Sequence, residues 1–350
     1  MLPSSSWLNR RRFCGLMGGG MLAARVSQAE SESLITAVGP EKWAEIESAV
    51  DRGLHALATR ALSGTLGDQN PQPATAALCV MAFLSRGHLP SSGQYGELLT
   101  NSIRSVINEQ TPNGLFGKGV GGNAEYHHAI AGLMLCEAYG LTDGVLSQRI
   151  FEAITRALQV SRVAQTWKKN QASDAGGWRY FSNKTDSDLS VTGWHFMFYR
   201  SAKNAEFDVP EAWVIEALRY VHSCADKQSG GFQYLANGNP TFSMTAAGLL
   251  CMTMAGKNEH PMAHAAAEYL LSHDFTNNWR HYGLYYASQA MAQMGGRYWR
   301  EFYPKMAASQ LKEQGLNGLW TENRVSAEIA TAWALLSLTP PCQVLPIFQR

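Results

Sequence analysis

One unit recurs six times along this chain of 350 residues: a charged amphipathic helix, a turn rich in glycine and aromatics, and a nearly uncharged apolar helix. The apolar segments begin near Ala74, Glu125, Ser187, Pro240, Arg280 and Arg324, at spacings from 40 residues (Pro240 to Arg280) to 62 (Glu125 to Ser187). A two-helix unit cannot bury its own apolar face and must pack on its neighbours. Six such pairs closing into a ring put the apolar helices inside and the amphipathic ones outside. The expected fold is therefore all-α, an (α/α)6 toroid of six helical hairpins with inner and outer rings, and any function belongs in its central cavity.

The periodicity predicts outer helices over 41–60, 94–109, 144–165, 210–225, 260–273 and 298–314, each with an apolar stripe at helical spacing such as Ile46, Ala49, Val50, Leu54 and Leu57. Inner helices are predicted over 74–86, 125–139, 188–203, 240–255, 280–294 and 324–338. Related turns join them, as in Asn113-Gly114-Leu115-Phe116-Gly117, Gly176-Gly177-Trp178-Arg179-Tyr180, Gly230-Gly231-Phe232-Gln233-Tyr234, Asn277-Asn278-Trp279 and Asn317-Gly318-Leu319-Trp320. Glycine or asparagine supplies the reversal and the aromatic pins it to the ring. Gln110, Gln171, Gln228 and Gln314 precede four of the turns.

The first 29 residues hold four arginines and no acid, which leaves 25 Lys+Arg against 28 Asp+Glu in the remainder, a net charge of −3. A weakly acidic body without a basic run has no electrostatic footprint for nucleic acid. Asn9-Arg10-Arg11-Arg12-Phe13-Cys14 is similar to the twin-arginine export motif. A Gly-rich weakly apolar stretch follows, and Ser27-Gln28-Ala29 offers small residues for a signal peptidase. The expected organisation is a signal peptide at 1–29, a lead-in at 30–40, one toroid domain at 41–340 and a C-terminal tail at 341–350, exported to the periplasm or beyond. No transmembrane span is expected in the mature chain. Cys79, Cys136, Cys224, Cys251 and Cys342 remain after cleavage, an odd number with no pairing pattern. No CxxC, HExxH or clustered Cys/His spacing suggests a metal, and no cofactor is expected.

The Gln…Gly-Gly-aromatic turns resemble the prenyltransferase and squalene-oxidase repeat of the terpenoid cyclase and protein prenyltransferase superfamily. Glu125-Tyr126-His127-His128-Ala129-Ile130-Ala131…Cys136-Glu137-Ala138-Tyr139-Gly140, and the run from Gly176 through Asp186-Ser187-Asp188-Leu189 to Trp194, are similar to exported bacterial toroid proteins that carry this repeat. The resemblance covers roughly residues 40–340. Squalene–hopene cyclases protonate a polyene with the middle acid of Asp-x-Asp-Asp. The resemblance assigns that part to Asp188, but Leu189 stands where the partner acid would be. The zinc-binding Asp, Cys and His of protein prenyltransferases have no match, nor does the Gly-Cys-Gly-Glu-Gln motif of thioester toroids.

All inner helices of such a ring run one way, so their N-termini share a mouth. The candidate catalytic residues there are Asp188, Asp186, His127 and His128. The candidate ligand-binding residues are Glu125, Tyr126, Trp194, His195, Arg280, His281, Tyr282, Arg324 and Glu328. An Asp or Ser before an apolar helix is also the expected N-cap. Three functions are open: an exported toroid that holds an apolar, isoprenoid-like ligand or a peptide without the full cyclase acid motif; an acid-catalysed cyclase or prenyltransferase-type enzyme using Asp188; or a polysaccharide lyase or hydrolase using Glu125, Asp188 and Glu328 as paired carboxylates. The oligomeric state is left open.

Overall fold

The computed structural model describes residues 34–67, 72–117, 121–275 and 279–349. The expected signal peptide, the start of the lead-in and the Asn277-Asn278 turn lie outside them. Among these residues twelve α-helices follow one another: α1 (Pro40–Arg60), α2 (Pro73–Ser85), α3 (Gly96–Asn108), α4 (Ala124–Tyr139), α5 (Gly144–Thr166), α6 (Leu189–Asn204), α7 (Glu211–Ser223), α8 (Phe242–Met254), α9 (Pro261–Ser272), α10 (Arg280–Met294), α11 (Gly296–Glu313) and α12 (Ala327–Leu338). All twelve coincide with predicted segments. Among the described residues there is no strand, only two isolated bridges beside the Gly230-Gly231-Phe232-Gln233-Tyr234 turn, and no helix is long and apolar enough to cross a membrane.

Even-numbered helices form the inner ring. Each packs on the next, and α12 packs back on α2. Their starts follow from local chemistry: Pro73 and Pro261 open helices where a missing N–H is harmless, and Asp188, Thr241 and Ser326 cap α6, α8 and α12 by accepting from Val191, Met244 and Ile329 N–H. Every residue of α2 and α8 is buried, as the absence of a polar face requires.

The turns weld hairpin to hairpin by one repeated pattern. Phe116, Trp178, Phe232 and Trp320 are fully buried. Their backbone N–H groups donate to His128 Nδ1 (3.2 Å), Thr192 Oγ1 (3.0 Å), Thr245 Oγ1 (2.9 Å) and Thr331 Oγ1 (3.0 Å) of the following inner helix. A glutamine in the last turn of an outer helix, or just past it, then ties the turn to the next outer helix. Gln110 donates to Gly114 O and Ala153 O, Gln165 to Gly176 O and Trp213 O, and Gln314 to Gly318 O and Ala49 O. The last of these closes the outer ring from α11 to α1. Gln165 takes the place assigned above to Gln171. α5 runs to Thr166, so the glutamine within reach is the one in its final turn, and Gln171 and Gln228 are exposed.

The far end is closed by residues 340–348. Leu345 and Ile347 are buried. Ile347 N–H donates to Glu137 Oε2 (3.3 Å), Asn204 Nδ2 donates to Pro346 O (3.3 Å), and Phe348 meets Tyr285 edge-on at 6.4 Å. Among the described residues, these contacts cover the end of the ring opposite the inner helix starts.

Candidate functional site

At the end where the inner helices begin lies a cavity of about 1180 Å³, to which all six inner helices contribute residues from their first two turns or their caps. Typical ligand pockets run to roughly 300–1000 Å³, so this one suits a large occupant. Its body is apolar: Leu78, Ile130, Trp194, Met244, Tyr282, Ile329 and Trp333. Its rim is polar, with Gln72, Asn123, Asn323 and Ser326, and with Arg324 lying 5.8 Å over the Trp279 ring.

Of the thirteen candidate residues, the structure brings Tyr126, His127, Trp194, Tyr282 and Arg324 to the cavity. His127 Nδ1 accepts from Ala74 N–H at 3.4 Å, which leaves the ring proton on Nε2, and burial lowers its pKa to about 4. Trp194 stacks on Tyr285 at 5.4 Å.

The other eight are not at the cavity. Glu125 and His128 face the outer layer, one helix position away from Tyr126 and His127. Glu125 accepts from Ser182 and lies 3.2 Å from His195 Nε2, a close approach that is out of line for a hydrogen bond. His195 meets Ser161 Oγ at 3.0 Å and stacks on Trp178 at 4.6 Å. The Glu125 carboxyl is opposed by burial but held below its usual range by His195, His128 and Ser182. His128 accepts from Phe116 N–H and faces Ala157 O at 3.0 Å, so it is a turn anchor, and burial holds its pKa at about 4. Arg280 reaches outward to Glu313 (2.8 Å), Ser309 (2.7 Å) and Phe275 O (2.9 Å). His281 is buried near Thr321 and Gln310, and its pKa is lowered by burial to about 4. Glu328 accepts from Arg60 at 2.7 Å. The outer layer supplies a partner distant in sequence to His128, His195, Arg280 and Glu328, whereas Glu125 is held by a turn serine and by His195 of the next inner helix.

Asp188 is fully buried and absent from the cavity wall. Its carboxylate accepts from Val191 N–H (2.9 Å), Ser190 Oγ (2.5 Å) and Arg179 Nη1 (2.9 Å). Asp186 shares Arg179 through its Nε at 3.0 Å. Burial pushes the Asp188 carboxyl up, against the pull of Ser190, Arg179 and Val191. Tyr126 OH donates to Ser190 Oγ (2.5 Å), so a hydrogen-bonded chain Tyr126→Ser190→Asp188 runs from two residues of the wall to the buried carboxylate. Asp188 thus has its hydrogen-bond partners in Val191, Ser190 and Arg179. Glu125, Asp188 and Glu328 likewise turn to His195, Arg179 and Arg60, and do not face one another across it.

Two lining residues that sequence reasoning missed are Tyr180 and Tyr234. Each is the last residue of a Gly-Gly-aromatic-x-Tyr turn, and that repetition was the available signal. Their hydroxyls bond to each other, and the Arg179 guanidinium lies over both rings, at 4.5 and 5.4 Å.

No protein-family model matches the sequence, and no curated protein matches it. Solved structures do. A type II terpene cyclase from Scytonema in complex with merosterolic acid A superposes with a TM-score of 0.55 at 12% identity, covering 87% of this chain and 99% of that one. Protein geranylgeranyltransferase-I of Candida albicans complexed with GGPP gives 0.55 at 11% identity, covering 86% and 95%. The Scytonema cyclase in complex with geranylgeranyl dihydroxybenzoate gives 0.53 at 13%, covering 87% and 99%. The chain therefore has the α/α-toroid fold that terpene cyclases and protein prenyltransferases share.

Proposed function

We propose that this chain is an exported binding protein that holds an apolar, isoprenoid-like ligand in its toroid cavity, without acid catalysis by Asp188. The observation that carries the reading is the wall: aliphatic and aromatic from all six inner helices, with no Asp or Glu among its described residues and Arg324 as its one fixed charge, at the rim. The structures of like fold hold a merosterolic acid, GGPP and a geranylgeranyl dihydroxybenzoate. These are large, mostly hydrocarbon molecules of the kind such a wall would take.

Titration of the mature protein with geranylgeraniol, followed by tryptophan fluorescence, tests this, because Trp194, Trp279 and Trp333 line the cavity. Saturable quenching is expected; a linear, non-saturating response counts against the reading. Asp188→Asn keeps an N-cap acceptor but weakens the Arg179 pair. It should lower stability by about 1–3 kcal/mol and leave geranylgeraniol affinity within about twofold. A loss of binding without a loss of fold would return Asp188 to the site. For export, replacing Arg10 and Arg11 together by lysine should retain the protein, uncleaved, inside the cell. Fractionation of a twin-arginine-competent host, with N-terminal sequencing of the exported product, reads the result, and undiminished export would remove that part of the proposal.

A further inference from the structure

The large apolar side chains left exposed among the described residues are unevenly placed. Every connection from an outer helix to the next inner one lies at the mouth, because it leads into an inner helix start. Six of the eleven exposed side chains sit on these connections. They are Leu62 (81%) after α1, Trp167 (44%) and Phe181 (39%) between α5 and α6, Leu235 (38%) before α8, Trp279 (42%) before α10, and the fully exposed Leu316 before α12. Leu141 and Val145 stand at the opposite end, and Phe151, Val163 and Ile215 on the flanks of outer helices. Three of the six border the cavity: Trp279 is part of its wall, and Phe181 and Leu235 follow the wall residues Tyr180 and Tyr234. Single exposed apolar residues are ordinary, but a ring of them around an apolar cavity marks a surface that something covers.

The cations of this face flank its aromatic tips. Lys168 follows Trp167, the Lys184 ammonium lies 5.7 Å over the Phe181 ring, and the Arg324 guanidinium lies 5.8 Å over Trp279. All three cations are exposed and have no ion-pair partner among the described residues. Several acids of the same connections are engaged: Asp186 and Asp188 by Arg179, Asp226 by Ser229, and Glu322 by the Arg280 and His281 N–H groups. Glu109, Asp174 and Asp274 remain against Lys168, Lys184, Lys227 and Arg324, so the face is close to neutral. An aromatic tip with a cation beside it fits a bilayer interface, where the ring sits at headgroup level and the cation reaches a phosphate. A protein partner would have to centre its contact on the mouth itself, where stable protein interfaces need a packed core. A fluid bilayer fills the space between separate tips. No helix among the described residues is long and apolar enough to cross a membrane, so the contact is peripheral.

We propose that the mouth face docks on a phospholipid bilayer, with Trp167, Phe181, Leu235 and Leu316 entering the boundary between headgroups and acyl chains. The cavity then exchanges its occupant with the lipid phase without passing it through water. The exchange rests on the apolar-cavity reading above; the docking stands on the exposed tips.

The test is sedimentation of the mature protein with phosphatidylcholine vesicles. Binding is expected at low and at high salt alike, because apolar insertion and not net charge carries the contact. Phe181→Ser, Leu235→Ser and Leu316→Ser together should weaken it by about tenfold or more, whereas Leu141→Ser with Val145→Ser at the far end should leave it within about twofold. The triple variant should bind geranylgeraniol added from ethanol as the wild type does, yet take it up from vesicles about tenfold more slowly. Phosphatidylcholine brominated along its acyl chains should quench the tryptophan fluorescence of the wild type, and Trp167→Phe should lose part of that quenching. This quenching decides the matter even if the triple variant does not fold. Absence of vesicle binding, or an equal loss in the two sets of variants, overturns the docking. A lipid-free dimer that the triple variant dissolves, without vesicle binding, gives the face to a second copy and overturns it too. Vesicle binding without uptake of geranylgeraniol supports the docking and removes the exchange together with the cavity reading.

Discussion

Lowering the pH from 7 to 4 is expected to unfold the ring. His127, His128 and His281 are buried, and burial holds each pKa at about 4 rather than 6.5. Below pH 6.5 the unfolded chain takes up protons that the folded chain refuses, so stability falls as the pH falls, throughout the window from 6.5 to 4. Each ring contributes about 3 kcal/mol of loss across that window, and three together reach roughly 10 kcal/mol, comparable with the whole stability of a typical domain. The cause is visible in the hydrogen bonds. His127 and His128 accept at Nδ1 from Ala74 and Phe116 N–H, and a protonated ring cannot accept. Glu125, held low by His195, adds to the loss at the acid end. Asp188 and Glu322, raised by burial, act in the opposite sense and offset part of it. Urea midpoints measured from pH 7 to pH 4.5 should fall steadily, and a flat profile would contradict this account of the buried imidazoles.

The second large effect is expected from Gly176→Ala. Gly176 sits at φ +88°, and a Cβ there would lie 2.2 Å from Glu216 O of α7. Left-handed backbone costs about 1–2 kcal/mol for an ordinary residue, and overpacking against a rigid helix adds about 1–3 kcal/mol. A loss of about 2–5 kcal/mol follows. Gly256→Ala is the control, with φ +69° but open space around the added methyl, and it should cost only the backbone part, about 1–2 kcal/mol. Denaturant unfolding of the two variants measures the difference. Equal losses would mean that the close seating of turn on outer helix does not hold the hairpins together. A Cβ at Gly114 or Gly318 would likewise lie 2.8 Å from Arg156 O or Arg52 O, so the argument extends round the ring.

The fold was legible because its signal repeats. Six apolar runs with no polar face, such as α8 from Phe242 to Met254, have only the inside of a ring to occupy. The site was half legible. That the inner helix starts share a mouth followed from topology, but which residue of a first turn faces inward did not. Tyr126 and His127 face the cavity while Glu125 and His128 face outward, a distinction of 100° per residue that needs the ring's register. The composition-based choice favoured charged groups, and those found partners outside the inner ring: Glu328 with Arg60 and Arg280 with Glu313 in the outer layer, and Asp188 with Arg179 in the turn before its helix. Burial requires such pairing, so the charged residues of a toroid mouth are drawn to the layer interface while the aromatics remain to line the space. The closure of the far end by Leu345, Ile347 and Phe348 had no sequence signal, since a segment that short shows no period.

The central claim is that the cavity exists to hold an apolar ligand. Its most direct test is native mass spectrometry of the mature protein, purified after export from a twin-arginine-competent host. The account predicts a reproducible added mass, released by organic extraction and identified as an isoprenoid or related lipid, or, for protein stripped of it, a one-to-one adduct on adding geranylgeraniol. A bare polypeptide mass that stays bare with geranylgeraniol present would contradict it, and would move the working surface from the cavity to the rim around Arg324.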